Sequence, residues 1–212
     1  MIKDLKVAIT QYIIPTSTKE GEEKVEKYIK QCQGKVDIVG LPEDCLALFD
    51  DVKNGYDPLS FLSSMAKKYN IYLFGATLVN EDEALYNRGF LFDRLGNLVN
   101  KHDKVVLTPP EEEDGIKPGK ILEVFDTEFG KMSILVCKDS FHRYSAWFFD
   151  KLRKQDCDIV LVPSYSLNVS KRSIELWVDS LKALSKWFDM YILAPGTVGK
   201  NSTQYESFGH SL

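Results

Sequence analysis

Residues 130–162 read GKMSILVCKDSFHRYSAWFFDKLRKQDCDIVLV, and the reading of this stretch decides the fold class. Lys131–Val136 is a short apolar run that ends at Cys137, and Ile159–Val162 is a second one, rich in β-branched residues. Between them, Tyr144–Gln155 carries its apolar residues at helical spacing, so the order is strand, helix, strand. The same alternation continues in both directions. Upstream, Lys6–Gln11 reads as a strand and Lys19–Gln31 as a helix with Val25, Tyr28, Ile29 and Cys32 on one face, capped by Ser17 or Thr18. Val36–Leu41 (VDIVGL) is a buried strand, Pro58–Tyr69 a helix and Ile71–Leu78 a strand. Tyr86–Phe92 and Leu98–Lys104, joined by Asp93-Arg94-Leu95-Gly96-Asn97, form a hairpin whose turn contains the glycine that a positive φ favours. Thr108–Lys120 is a polar loop, followed by a short strand near Leu122–Phe125 and a turn at Glu128–Lys131. Downstream, Ser173–Phe188 places Ile174, Trp177, Val178, Leu181, Leu184 and Phe188 on one stripe, and Tyr191–Ala194 is the last strand expected. Strand and helix in alternation, with a hairpin inside, give an α/β fold with a mixed sheet whose faces are covered by helices.

Composition sets the limits on function. The chain has 212 residues, 44% of them hydrophobic, which is enough for a full core and fits one domain spanning residues 1–212. Lys and Arg number 27 against 31 Asp and Glu, a net charge of −4 with the signs interspersed. Such a surface presents no basic field for nucleic acid, so the expected partner is a small molecule. The charged N-terminus MIKDLKVAITQ has no apolar core of a signal peptide, and no apolar run approaches membrane-spanning length. The expectation is therefore a cytoplasmic protein without membrane attachment. Cys32, Cys45, Cys137 and Cys157 are scattered and lack a C-x-x-C pair, and His102, His142 and His210 have no ligand spacing. Free thiols are expected, with no metal and no organic cofactor.

In α/β folds of this kind, function collects at the carboxyl ends of strands. Three reactive residues fall at such ends: Glu43 after VDIVGL, Lys104 closing the hairpin, and Cys137 closing KMSILV. Each has an ordinary structural explanation: Cys137 as a small buried hydrophobe, Lys104 and Glu43 as solvated charges. Together they supply what amide hydrolysis needs, namely a nucleophile, a proton-transfer group and a fixed positive charge for the oxyanion. An ammonium near Cys137 would lower the thiol pKa, and desolvation of Glu43 behind Leu41-Pro42 would raise that of the carboxyl. A Cys-His pair using His142 is the alternative base assignment.

These residues resemble the nitrilase or carbon–nitrogen hydrolase superfamily, whose Glu, Lys and Cys come in this chain order. The resemblance rests on VDIVGLPE (36–43), NLVNKHDKVVLTPPEEE (97–113) and GKMSILVCKDSF (130–141), and extends through DCDIVLVPSYS (156–166) and YILAPGTVG (191–199). It implies a four-layer α-β-β-α sandwich, here C-terminally truncated, because the sequence stops at Phe208-Gly209-His210-Ser211-Leu212, like the start of a Gly-x-Ser segment that opens the family's final strands. It also implies a homo-oligomer built by packing helices against a second subunit. Carried over by residue, the proton-transfer acid is Glu43, the oxyanion-binding ammonium Lys104 and the nucleophile Cys137. A second glutamate about eight residues after the lysine falls at Glu112, within Glu111-Glu112-Glu113. Lys138, where the family usually has another residue, and Tyr165 are the candidate substrate contacts. The implied reaction is cleavage of a non-peptide carbon–nitrogen bond through a thioester, on an amide rather than a nitrile. Two other readings stand beside it: an impaired member kept for binding or assembly, and a thioesterase-like hydrolase using Cys137 with His142.

Overall fold

A computed structural model describes residues 4–46, 48–120, 122–200 and 206–212. The chain runs from β1 (Val7–Ile9) through α1 (Thr18–Cys32) to β2 (Ile38–Gly40), then through α2 (Phe49–Lys53) and α3 (Pro58–Tyr69) to β3 (Tyr72–Glu81). Local chemistry fixes the helix ends. Ser17 accepts from the Glu20 N–H at the start of α1, and the Asp57 carboxylate accepts from the N–H groups of Leu59 and Ser60 at the start of α3, where Pro58 occupies the first helical position. Asn70 ends α3 in the left-handed region at φ 53°. From β3 the chain meanders antiparallel through β4 (Ala84–Phe92) and β5 (Leu98–Asp103). The first sheet has the order β1-β2-β3-β4-β5, its first three strands parallel.

The second half repeats the scheme. After α4 (Pro109–Glu113), β6 (Phe125–Thr127) pairs antiparallel with β7 (Gly130–Ile134), and a 3₁₀ turn at Cys137–Ser140 leads into α5 (Ser145–Arg153). Then come β8 (Ile159–Leu161), α6 (Ser173–Phe188) and β9 (Tyr191–Leu193), with β7, β8 and β9 parallel in a sheet ordered β6-β7-β8-β9. A small antiparallel pair, β10 (Val198–Lys200) and β11 (Glu206–Phe208), follows.

Side-chain alternation along the strands builds the layers, because neighbouring residues of a strand face opposite ways. On β3, Leu73 packs with Val25, Ile29, Leu62 and Ala66 of the helices, while Phe74 and Ala76 turn to the other side. There they meet Met132 and Ile134 of β7 and Ile159 and Leu161 of β8. Val160 of β8 faces outward onto Phe148, Phe149 and Leu152 of α5 and Trp177, Leu181 and Leu184 of α6. The two sheets therefore pack face to face and each carries helices on its outer side, the α-β-β-α sandwich that the resemblance implies. No described helix is long and apolar enough to cross a membrane.

The structure adds elements to the sequence reading. Part of the expected loop Thr108–Lys120 forms α4, α2 forms in a stretch to which the sequence reading assigns no element, and β3 continues to Glu81 and turns through Asp82 and Glu83, both at positive φ, into β4. The late pair of β10 and β11 was not expected either.

At Gly89 the two sheets approach closely: a Cβ there would lie 2.5 Å from Ile134 Cγ2 and 3.0 Å from Val136 Cγ2. Gly89→Ala is expected to lower unfolding stability by about 1–3 kcal/mol, the usual cost of overpacking a core. A urea midpoint unchanged from that of the parent protein would contradict this packing.

Candidate active site

Three strand ends deliver the three reactive residues to one place between the sheets. Glu43 lies in the loop after β2, Lys104 directly follows β5, and Cys137 opens the 3₁₀ turn after β7. The Lys104 N–H donates to the Asn87 carbonyl at 2.9 Å, carrying the β4–β5 ladder one step past the strand, and the Cys137 N–H donates to the Pro163 carbonyl at 2.9 Å beyond β8. All three side chains are buried: Glu43 and Lys104 are each 2% exposed and Cys137 5%.

Their polar atoms form one connected set. Lys104 Nζ donates to Glu43 Oε1 at 2.7 Å and to Glu111 Oε1 at 2.9 Å. Asn87 Nδ2 donates to the same two oxygens, each at 2.7 Å. The Tyr165 N–H donates to Glu43 Oε2 at 2.7 Å. The Cys137 thiol lies beside the Glu43 carboxylate and the Tyr165 N–H, close enough for both to act on its charge. Glu111 Oε2 accepts from the Thr108 N–H at 2.7 Å and its hydroxyl at 2.8 Å, so Glu111 is held at both oxygens.

The electrostatics follow from burial and these contacts. Burial opposes the charge on Lys104, but attraction from Glu43, the Cys137 sulfur and Glu111 outweighs it and holds the ammonium well above the usual lysine range. Burial also opposes the charge on Glu111, yet Lys104 and the donors from Thr108 and Asn87 bring that carboxyl below its ordinary value. Burial pushes the Cys137 thiol well up, repulsion by Glu43 adds to this, and the attraction of Lys104 only partly offsets them. The expected lowering of the thiol pKa by a nearby ammonium is thus outweighed. At rest the sulfur carries its proton, beside a carboxylate placed to accept it.

Cys137 is held at φ 48°, a left-handed conformation that costs a non-glycine residue about 1–2 kcal/mol. The turn around it compensates: the Ser140 hydroxyl donates to the Cys137 carbonyl at 2.7 Å, and the Ser145 hydroxyl to the Asp139 carbonyl at 2.8 Å. A sharp turn at this point aims the thiol back toward Glu43 and Lys104 instead of along the strand.

The other residues singled out in the sequence are placed as follows. Glu112 is exposed, and the glutamate on Lys104 is Glu111, one residue earlier. The reason is the helix start: Glu111 folds back onto Thr108 as a capping residue of α4, whereas the next residue is rotated about 100° around the axis, to solvent. The Lys138 ammonium donates to the Leu107 carbonyl at 2.6 Å, an internal tie between the cysteine turn and the segment after Lys104. Tyr165 enters through its backbone N–H. His142 packs beside Tyr144, its ring centroid 5.2 Å from the tyrosine's. Residues the sequence did not single out are Asn87, which bridges both glutamates, Asp44, and the buried pair Asp139 and His102. The polar pair Asn87-Arg88 inside a strand that otherwise reads apolar is the one signal that could have pointed to Asn87. Among the described residues no three His, Cys, Asp or Glu side chains converge as a metal site requires.

Residues 6–212 match the carbon–nitrogen hydrolase family. The chain is 24% identical over 232 residues to a deaminated glutathione amidase of Yersinia enterocolitica, covering all of this chain and 79% of that protein. It is 30% identical over 210 residues to an omega-amidase of Saccharomyces cerevisiae, covering 89% of this chain and 70% of the relative. Among solved structures, an amidase from Nesterenkonia sp., with acrylamide joined by Michael addition to its active-site cysteine, superposes with a TM-score of 0.84 at 16% identity, over 99% of this chain and 84% of that one.

Asp44 yields a pH-dependent prediction. This partly buried carboxyl is pushed up to about 7 by burial and by the like charges of Glu43 and Glu111, against the pull of Lys104. Its folded value thus lies above its unfolded one, near 3.9. The native state holds the proton more tightly, so stability falls as pH rises from about 4 through 7. Asp44→Asn removes that loss and tolerates the left-handed φ of 53° at this position. The unfolding free energy of the variant, measured by urea titration, is expected to exceed that of the parent by about 1–2 kcal/mol at pH 8 and to converge on it near pH 4. A difference independent of pH would contradict the assignment.

Proposed function

The chain belongs to the carbon–nitrogen hydrolase family, and from that premise we propose that it hydrolyses the amide bond of a small molecule through a thioester on Cys137. A carbon–nitrogen hydrolase acting on non-peptide bonds is what the family establishes; the residue roles are the present reading. The observation that carries it is the buried Lys104 ammonium bridging Glu43 and Glu111, with the Cys137 thiol beside the Glu43 carboxylate.

The geometry supports the following course. The Cys137 sulfur attacks the amide carbon while Glu43, beside the thiol, takes its proton, so that no free thiolate has to persist in a buried site. Negative charge then develops on the substrate oxygen, where the Lys104 ammonium and the Lys138 backbone N–H stabilise it. Removing one donor of this kind typically costs about 10²–10³ in rate. Collapse of the tetrahedral intermediate breaks the carbon–nitrogen bond, and Glu43 returns the proton to the departing ammonia or amine. The same carboxylate then activates a water that attacks the thioester, releasing the carboxylic acid and restoring the thiol. Glu111 takes the part the sequence assigned to Glu112: with Glu43 it holds Lys104 in place. Asn87 keeps the two glutamates in register. The amidase names of the Yersinia, yeast and Nesterenkonia proteins support an amide substrate here.

Intact-mass analysis and ammonia release on a panel of small amides test this reading. The acyl adduct and the ammonia are expected to vanish in Cys137→Ala. Glu43→Gln is expected to slow turnover by about 10²–10⁴-fold, the range for loss of a general acid–base, with slow loss of whatever adduct forms. Turnover intact in Glu43→Gln but abolished in His142→Ala would overturn the assignment of the base.

A further inference from the structure

Asp139 is fully buried, and its carboxylate serves two chain segments at once. Oδ1 accepts from the Val106 N–H at 2.7 Å and from the Val105 N–H at 3.2 Å, the two residues that follow Lys104. Oδ2 accepts from the N–H of Val136, the residue before Cys137, at 3.2 Å and lies 3.0 Å from His102 Nε2. His102, two positions before Lys104 in the sequence, is itself only 4% exposed. One side chain therefore ties the start of the cysteine turn to the backbone that carries the ammonium.

We propose that Asp139, steadied by His102, is a positioning residue for the hydrolysis: it keeps the Cys137 turn in its left-handed conformation and fixes how far that turn stands from Lys104. Its effect on turnover rests on the hydrolase reading above; its effect on the thiol does not. The chemistry of the acceptor makes the role specific. An ionised carboxylate is acceptor-only and can receive all these donors, whereas an asparagine of the same shape offers one oxygen and one NH₂. In either orientation the NH₂ meets a backbone N–H, at Val106 or at Val136, and that joint opens. The turn itself has other supports, the hydroxyls of Ser140 and Ser145 and the Cys137 N–H on Pro163, so the fold outlasts the loss of the tie. What is lost is registry between sulfur and ammonium, and small displacements from reactive geometry are costly in rate.

The test compares Asp139→Asn, His102→Gln and His102→Phe with the parent chain, well below their thermal midpoints. Asp139→Asn is expected to lower kcat for ammonia release about 10²-fold with KM changed less than about threefold. The pH dependence of Cys137 alkylation by iodoacetamide, followed by peptide mass, is expected to move upward by about half a unit or more as the ammonium moves away from the sulfur. Glu43 and Lys104 face that sulfur, with Glu111 and Asp44 behind them, and all are retained in these variants. His102→Gln, whose amide N–H can replace the ring donor, is expected to keep kcat within about threefold, and His102→Phe to fall with Asp139→Asn. The double variant Asp139→Asn with His102→Phe should be no worse than Asp139→Asn alone, because both act through one joint. A folded Asp139→Asn protein with an unmoved alkylation profile overturns the proposal, whether kcat is unchanged or falls only with the fraction unfolded. If the parent chain releases ammonia from no amide, the hydrolase reading fails, and the alkylation profile still decides this inference.

Discussion

A lysine ammonium buried between two glutamates organises this molecule's site. Lys104 is almost fully removed from water, and an isolated charge in such a place would be prohibitively costly. It is tolerated because Glu43 and Glu111 meet it at 2.7 and 2.9 Å and because each glutamate is in turn held by uncharged donors, Asn87, the Tyr165 N–H and Thr108. Buried ion pairs of this kind contribute little to stability, since desolvation offsets attraction, but breaking one is severe. Their presence at strand ends facing a sulfur makes sense as chemistry. Burial, with the repulsion of Glu43 outweighing the pull of Lys104, keeps the Cys137 thiol protonated until a substrate arrives.

The fold supplies the rigidity this arrangement requires. Two sheets pressed face to face fix the ends of β2, β5 and β7 relative to one another, and the narrow packing at Gly89 brings the sheet carrying Lys104 close to the one carrying Cys137. The left-handed backbone at Cys137 is a local cost that only a surrounding hydrogen-bonded frame can sustain. Ser140, Ser145 and Asp139 form that frame, and Asp139 extends it across to the Lys104 segment.

Much of this was legible in the sequence because the strand ends are marked by a change from apolar runs to charged residues. Glu43, Lys104 and Cys137 stand at those changes, in the chain order of the carbon–nitrogen hydrolases. The helical stripe of α6 likewise specified a buried face, whereas β3 and β8 are apolar on both faces, so the stacking of two sheets came only from the resemblance and not from periodicity. What escaped notice depends on interactions that periodicity does not encode. Asp82 and Glu83 turn β3 into β4 at positive φ without a glycine to announce it. The α4 capping contact between Thr108 and Glu111 selects which of three consecutive glutamates turns inward, and spacing alone favours its neighbour. Asn87 and His102 sit within strands, where a polar residue reads as an ordinary exposed position until the partner sheet is known to cover it.

The central claim is that gathering an acid and an ammonium around a buried sulfur makes that sulfur the reactive one, and competition among the four cysteines for substoichiometric iodoacetamide tests it most directly. Exposure alone favours Cys32, which is partly open, whereas Cys45, Cys137 and Cys157 are buried. Burial pushes the Cys157 thiol up to about 12 and Cys45 higher still, whereas Cys137 lies beside the Glu43 carboxylate and the Lys104 ammonium. The account predicts that Cys137 is alkylated first, ahead of Cys32. Labelling that begins at Cys32 and reaches Cys137 no sooner than Cys45 and Cys157 would contradict it.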